Sequence, residues 1–91
     1  MKVVSSVKIG EKHLEPLRRE FPGVEFFVFP SMEEAAANLP EAEVLLTYGS
    51  DFTEAELSRA HRLRWIQVLA AGVEQLPLSA LLRRGITVTN A

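Results

Sequence analysis

Apolar residues in this chain fall into short dense runs, separated by stretches where they recur every three or four positions. That alternation is expected where strands and helices take turns. Lys2 to Val7 is a β-branched run suited to a buried strand, ended by Gly10. Leu14, Leu17 and Phe21 then place an apolar stripe on a helix starting near Lys12 or His13, so that Pro16 costs little; Pro22 and Gly23 close it. Val24 to Phe29, bounded by Gly23 and Pro30, reads as a second strand, buried on both faces. Ser31 and Glu34 have the spacing of a reciprocal capping box, and Ala35, Ala36 and Ala37 continue that helix.

Glu43 to Tyr48 gives a third strand, followed by a glycine turn at Gly49. Thr53 and Glu56 repeat the capping box, with Phe52 and Leu57 spaced as a hydrophobic staple and Arg59 and Arg62 near the helix C-terminus. Trp65 to Leu69 is the fourth strand, Leu78 to Arg84 a helix with Gly85 as its left-handed stop, and Ile86 to Thr89 the fifth strand. Five strands linked through short helices imply right-handed parallel crossovers. The expected fold is α/β: a flavodoxin-like open five-stranded parallel sheet, order 2-1-3-4-5, with helices on both faces.

Composition narrows this picture in three ways. At 91 residues the chain is one small domain, with room for no second one. Its 47% hydrophobic and 24% charged residues suit a folded core, and a net charge of -2 from ten basic and twelve acidic residues offers no footprint for nucleic acid. The absence of cysteine excludes disulfides, a thiol nucleophile and cysteine-based zinc sites, and fits a cytoplasmic setting. No run approaches a membrane span or a signal core, so no membrane partner is expected.

Ligands of such sheets gather beyond the carboxyl ends of the strands, which directs attention to three loops. After strand four, Ala70, Ala71, Gly72 and Val73 place small residues before a helical turn, leaving bare backbone N–H groups able to hold a carboxylate or phosphate. The plainer reading is that Gly72 permits a tight turn. After strand three, Tyr48 and Gly49 could offer a phenol to a ligand oxygen, or Tyr48 could cap the sheet edge by packing. The loop Ser5 to Gly10 has hydroxyls and a lysine but lacks the spacing of a flavin phosphate cradle. His13 and His61 read as solvated helix residues, Trp65 as a core or domain-interface residue, and Leu78, Leu81 and Leu82 as ordinary core. No G-x-G-x-x-G stretch follows any strand and no acid–base pair stands out, so catalytic, cofactor-binding and metal-binding residues are expected to be absent.

Leu63-Arg64-Trp65-Ile66-Gln67, then Ala71-Gly72-Val73-Glu74, then Arg84-Gly85-Ile86 and Val88-Thr89-Asn90-Ala91 resemble the N-terminal domain of D-isomer-specific 2-hydroxyacid dehydrogenases. The close match covers the last third of the chain, and the earlier strands match in pattern. The resemblance implies an NAD(P)-dependent oxidoreductase of two α/β domains. Residues 1–91 would be its substrate-binding domain, ending before the dinucleotide domain that carries the cofactor and the catalytic arginine, acid and histidine. It further implies that Ala71, Gly72 and Val73 hold the carboxylate of a small 2-oxo or 2-hydroxy acid, with Tyr48 and Gly49 flanking the pocket. The basic residue that selects phosphorylated substrates in several relatives is missing from the loop at Thr47, Tyr48 and Gly49, which favours an unphosphorylated acid. The isolated domain should bind no cofactor and be inert. A homodimer is implied for the whole enzyme. Self-association is implied for the fragment, because a covering C-terminal helix would be missing and leave an apolar patch. The competing class is a non-catalytic flavodoxin-like binding or receiver-type module.

Overall fold

The computed structural model describes residues 1–69 and 72–90. Among them, strands β1 (Lys2–Ser5), β2 (Glu25–Val28), β3 (Val44–Thr47), β4 (Trp65–Val68) and β5 (Thr87–Asn90) alternate with helices α1 (Glu11–Glu20), α2 (Met32–Ala35), α3 (Glu54–Arg59) and α4 (Leu78–Arg83). A 3-10 segment, Ala36–Glu41, follows α2. The five strands pair in parallel in the order β2-β1-β3-β4-β5, as the alternating pattern predicts. Strand direction of growth reverses between β1 and β3, which makes the carboxyl ends of these strands the natural crevice of the fold.

One face of the sheet carries the core. Val4, Leu45, Ile66 and Val68 point to it and meet Met32, Ala35, Leu39, Leu57 and Leu81 from α2, the 3-10 segment, α3 and α4. Right-handed crossovers place α1 on the opposite face, where Leu14 is its buried residue. The register aligns Val44 with Trp65 and Thr87, and Leu46 with Gln67 and Thr89, along that second face.

Several sequence expectations shift at this level. β2 is not buried on both faces: it is the sheet edge, and its residues are exposed or half-buried. Its dense apolar run is satisfied by one neighbour, and a run alone does not distinguish an edge from a centre. Trp65 is 41% exposed and is not a core residue. Its indole Nε1 donates to Thr89 Oγ1 at 2.8 Å, and the Thr89 hydroxyl donates to Gln67 Oε1 at 2.5 Å, so the open face of β4 and β5 carries a polar row. Of the three α4 leucines only Leu81 enters the core, while Leu82 is 77% exposed and Leu78 also faces solvent. A six-residue helix has one inward stripe, and Leu81 fills it.

Caps explain where the helices begin and end. Thr53 and Glu56 form the full reciprocal box at α3, and Phe52 and Leu57, the staple pair, are both buried in the core cluster. The Thr53 hydroxyl holds the Glu56 carboxyl below its usual pKa. At α2 only one limb forms, the Glu34 N–H donating to Ser31 Oγ at 3.3 Å, and the alanine run tightens into the 3-10 segment, which contains Pro40. The C-terminus of α3 is held chiefly from outside its own sequence. Arg84 donates to the Leu57 and Ala60 carbonyls at 2.8 and 2.7 Å, the role that local spacing assigned to Arg59 and Arg62. Gly85 sits at φ 70°, the left-handed stop predicted after α4. At the amino end of the sheet, the Lys2–Glu41 pair raises the lysine pKa and lowers that of the acid. No helix among the described residues is long and apolar enough to cross a membrane.

Candidate functional site

Three loops leave the carboxyl edge of the sheet, and they differ in what they keep free. The loop after β1 is tied into the fold. Ser5 Oγ donates to the Val7 carbonyl at 2.7 Å and accepts the Val7 N–H at 3.0 Å, while the Ser6 N–H and hydroxyl both turn to the Leu46 carbonyl. These groups are thereby spent and not free to cradle a phosphate. These residues do not fit a dinucleotide either, because the chain's five glycines are too widely spaced to form a phosphate-binding fingerprint after a strand.

The loop after β3 is built around Thr47, which is fully buried. Its Oγ1 accepts the Gly49 N–H at 3.1 Å and donates to Asp51 Oδ1 at 2.9 Å, folding the turn back over the strand end. Gly49 lies at φ 95°, a conformation that residues with a side chain rarely adopt. Its amide is therefore occupied, and it contributes the shape of the turn. Tyr48, beside it, is 57% exposed and stands at the rim with its hydroxyl available, so packing at the sheet edge does not account for it.

The loop after β4 begins with the Leu69 N–H donating to the Thr47 carbonyl at 2.8 Å, which carries the β3 and β4 pairing one residue further. Ala70 and Ala71, the first half of the predicted anion seat, lie outside the described residues. From Gly72 the chain turns back: the Leu76 N–H reaches the Val73 carbonyl at 3.1 Å, and buried Leu76 anchors the entry to α4. Among the described residues, no oxygen accepts the N–H of Gly72 or of Val73. Both are backbone donors with bonding capacity to spare.

These two loops face each other across a crevice of about 540 Å³, with Tyr48, Gly49 and Ser50 on one side and Gly72 through Leu76 on the other. Four of the five residues singled out in the sequence, Tyr48, Gly49, Gly72 and Val73, are thus brought together, and the fifth, Ala71, is not described. Two further residues shape the crevice, one of them, Thr47, named in the sequence only as part of the flanking loop. Thr47 organises the first wall from within the strand, a role that emerges only once the turn folds back. Glu74 supplies the only charged side chain lining the crevice among the described residues, and its carboxylate lies in the space a side chain at position 72 would occupy. The glycine two residues before it is the one local signal of that arrangement. His13 and His61 are exposed and line no part of this crevice. Among the described residues, no three His, Cys, Asp or Glu side chains converge as metal ligands.

The crevice offers unpaired amides, the Tyr48 and Ser50 hydroxyls and the Gln75 amide, a donor set that fits a small anion with hydroxyl or carbonyl oxygens.

Comparisons with known proteins agree with this fold. Residues 3–91 match the family model described as D-isomer specific 2-hydroxyacid dehydrogenase, catalytic domain. Over its whole length the chain is 29% identical to a D-3-phosphoglycerate dehydrogenase from Archaeoglobus fulgidus, of which it spans 18%. It is similar to the crystal structure of phosphoglycerate dehydrogenase from Lactobacillus plantarum, with 26% identity and a TM-score of 0.75, covering 100% of this chain and 29% of that one. It also shares its fold with D-lactate dehydrogenase from Aquifex aeolicus, solved with NAD and lactic acid, at 19% identity and a TM-score of 0.79, covering 100% of this chain and 28% of that one. The chain therefore spans less than a third of the length of each of these relatives.

Proposed function

The chain belongs to the D-isomer specific 2-hydroxyacid dehydrogenase family, and from that premise we propose that residues 1–91 form the substrate-binding domain of an NAD(P)-dependent 2-hydroxyacid dehydrogenase. Its part in the reaction is to seat a small 2-oxo or 2-hydroxy acid by its carboxylate. The observation that supports this most directly is the pair of unpartnered N–H groups at Gly72 and Val73, two residues that line the crevice beyond β3 and β4.

Two neighbouring amides hold a carboxylate by dipoles fixed in advance, with no cationic side chain to reorganise. With the carboxylate seated, the 2-carbon of the acid projects toward the Tyr48 wall, where the exposed phenol can donate to the 2-oxygen. Fixing the acid by one end in this way lowers the entropic cost of the step that follows. The hydride donor binds outside these residues, and the isolated chain is inert.

Val73→Pro tests the seat by deleting one of its two donors. Isothermal titration with pyruvate should show weak binding by the native chain and at least fivefold weaker binding by the variant, with far-UV circular dichroism unchanged. Equal affinity in the two chains would remove the amide seat from the account. NADH oxidation by the isolated chain in the presence of pyruvate or glyoxylate would contradict the division of labour.

A further inference from the structure

We infer that Arg18 guards the free edge of β2 against strand addition, and that the partner it holds off is the β2 of a second copy of this chain.

β2 has a neighbour on one side only. The Glu25 and Phe29 N–H groups donate to Met1 and Ser5, so the alternation of a strand turns the Phe26 and Val28 amides and carbonyls to the open side. The run Val24 to Phe29 holds three phenylalanines and two valines, with Glu25 as its one charge and no proline. Such a segment readily extends a sheet when its edge is bare. A second β2, turned antiparallel about a two-fold axis, offers the same amides and carbonyls in return, so this edge is complementary to itself. The opposite edge strand, β5, reads Thr-Val-Thr-Asn and carries no aromatic residue.

Arg18 interrupts the β2 edge. It lies in the last turn of α1, and its Nη2 donates to the Phe26 carbonyl at 3.4 Å. Its Nη1 lies 3.3 Å from both carboxylate oxygens of Glu11, two turns earlier on the same helix face, which directs the guanidinium over the strand. Arg18 and Glu11 border the same hollow as Val28 and Phe29. One side chain thus occupies the acceptor that an incoming N–H would need. A second strand would have to displace the guanidinium or bury its charge beneath itself, and both are unfavourable.

The test uses the 91-residue chain, with association constants from sedimentation and amide hydrogen exchange followed at low and high protein concentration. Arg18→Met keeps the aliphatic stem and removes the guanidinium. It should self-associate at least about fivefold more strongly than the native chain, the effect of freeing one charge-assisted hydrogen bond. Its Phe26 and Val28 amides should exchange more slowly as concentration rises. Adding Val28→Pro deletes one outward donor without touching the pairing to β1, and should return association to the native level. Equal association of the native chain and Arg18→Met would overturn the proposal. So would an Arg18→Met chain that associates while its Phe26 and Val28 amides stay unprotected, because the contact would then lie on another surface. The exchange measurement decides the matter by itself if the proline variant does not fold.

Discussion

Replacing Thr47 by valine should unfold the wall of the crevice without changing the shape of the side chain beneath it. The native hydroxyl accepts the Gly49 N–H at 3.1 Å and donates to the Asp51 carboxylate at 2.9 Å, in a position with no solvent exposure. Valine leaves the buried Gly49 N–H without an acceptor, at a cost of about 1–3 kcal/mol, and removes a bond to a charged group worth about 1 kcal/mol once exposure of Asp51 is allowed for. The added methyl recovers roughly 0.8 kcal/mol. The net loss is about 2 kcal/mol, which for a domain of this size lowers the melting temperature by roughly 8–16 °C. Urea unfolding of the native chain, Thr47→Val and Thr47→Ser gives the comparison, with serine retaining most of the stability because it keeps the oxygen. A valine variant within about 0.5 kcal/mol of native, or a serine variant as weak as valine, would refute the reasoning, since both outcomes make the hydroxyl's bonds irrelevant.

Arg84→Met keeps the aliphatic stem but strips two donors from the Leu57 and Ala60 carbonyls, and urea titration should show a loss of about 1–2 kcal/mol that Arg84→Lys only partly restores. Because the hydrogen bonds from Thr53 hold the Glu56 pKa below its ordinary value, its contribution to stability is present above the unfolded value and disappears as pH falls through the folded one. Glu56→Gln should therefore cost about 1 kcal/mol at neutral pH and lessen the acid-side fall in melting temperature. Gly49→Ala should destabilise by about 1–2 kcal/mol because of its positive φ, whereas Gly72→Ala need only push aside the end of the flexible Glu74 side chain and should leave the melting temperature within a few degrees of native.

Much of this architecture is written locally. The strand order follows from short links and the handedness of crossovers, and the Thr53–Glu56 box and the Gly85 stop are each complete within a few residues. What escaped was set by partners distant in sequence. Arg84 reaches the end of α3 across 27 positions of chain, so no local charge count could prefer it over Arg59 or Arg62. Whether the apolar run at Glu25–Val28 is covered on one face or two depends on its place at the sheet edge, and the exposure of Leu82 depends on which side of a very short helix meets the core. At the candidate site, the loops singled out in the sequence line one crevice, while the way one of them is held depends on contacts the sequence does not show. Gly49 was legible as a flexible turn, yet the capture of its amide by Thr47 depends on how that turn folds back. The approach of the Glu74 carboxylate to Gly72 likewise depends on how the loop folds.

The central claim is that the Gly72 and Val73 amides receive the carboxylate of a small 2-oxo acid. Amide-resolved NMR during titration of the isotopically labelled chain with pyruvate addresses it directly. The account predicts saturable downfield shifts of these two N–H signals, with a smaller response at Tyr48 and none at Ser5 or Ser6. Unmoved Gly72 and Val73 signals, alongside saturable shifts elsewhere on the chain, would contradict it.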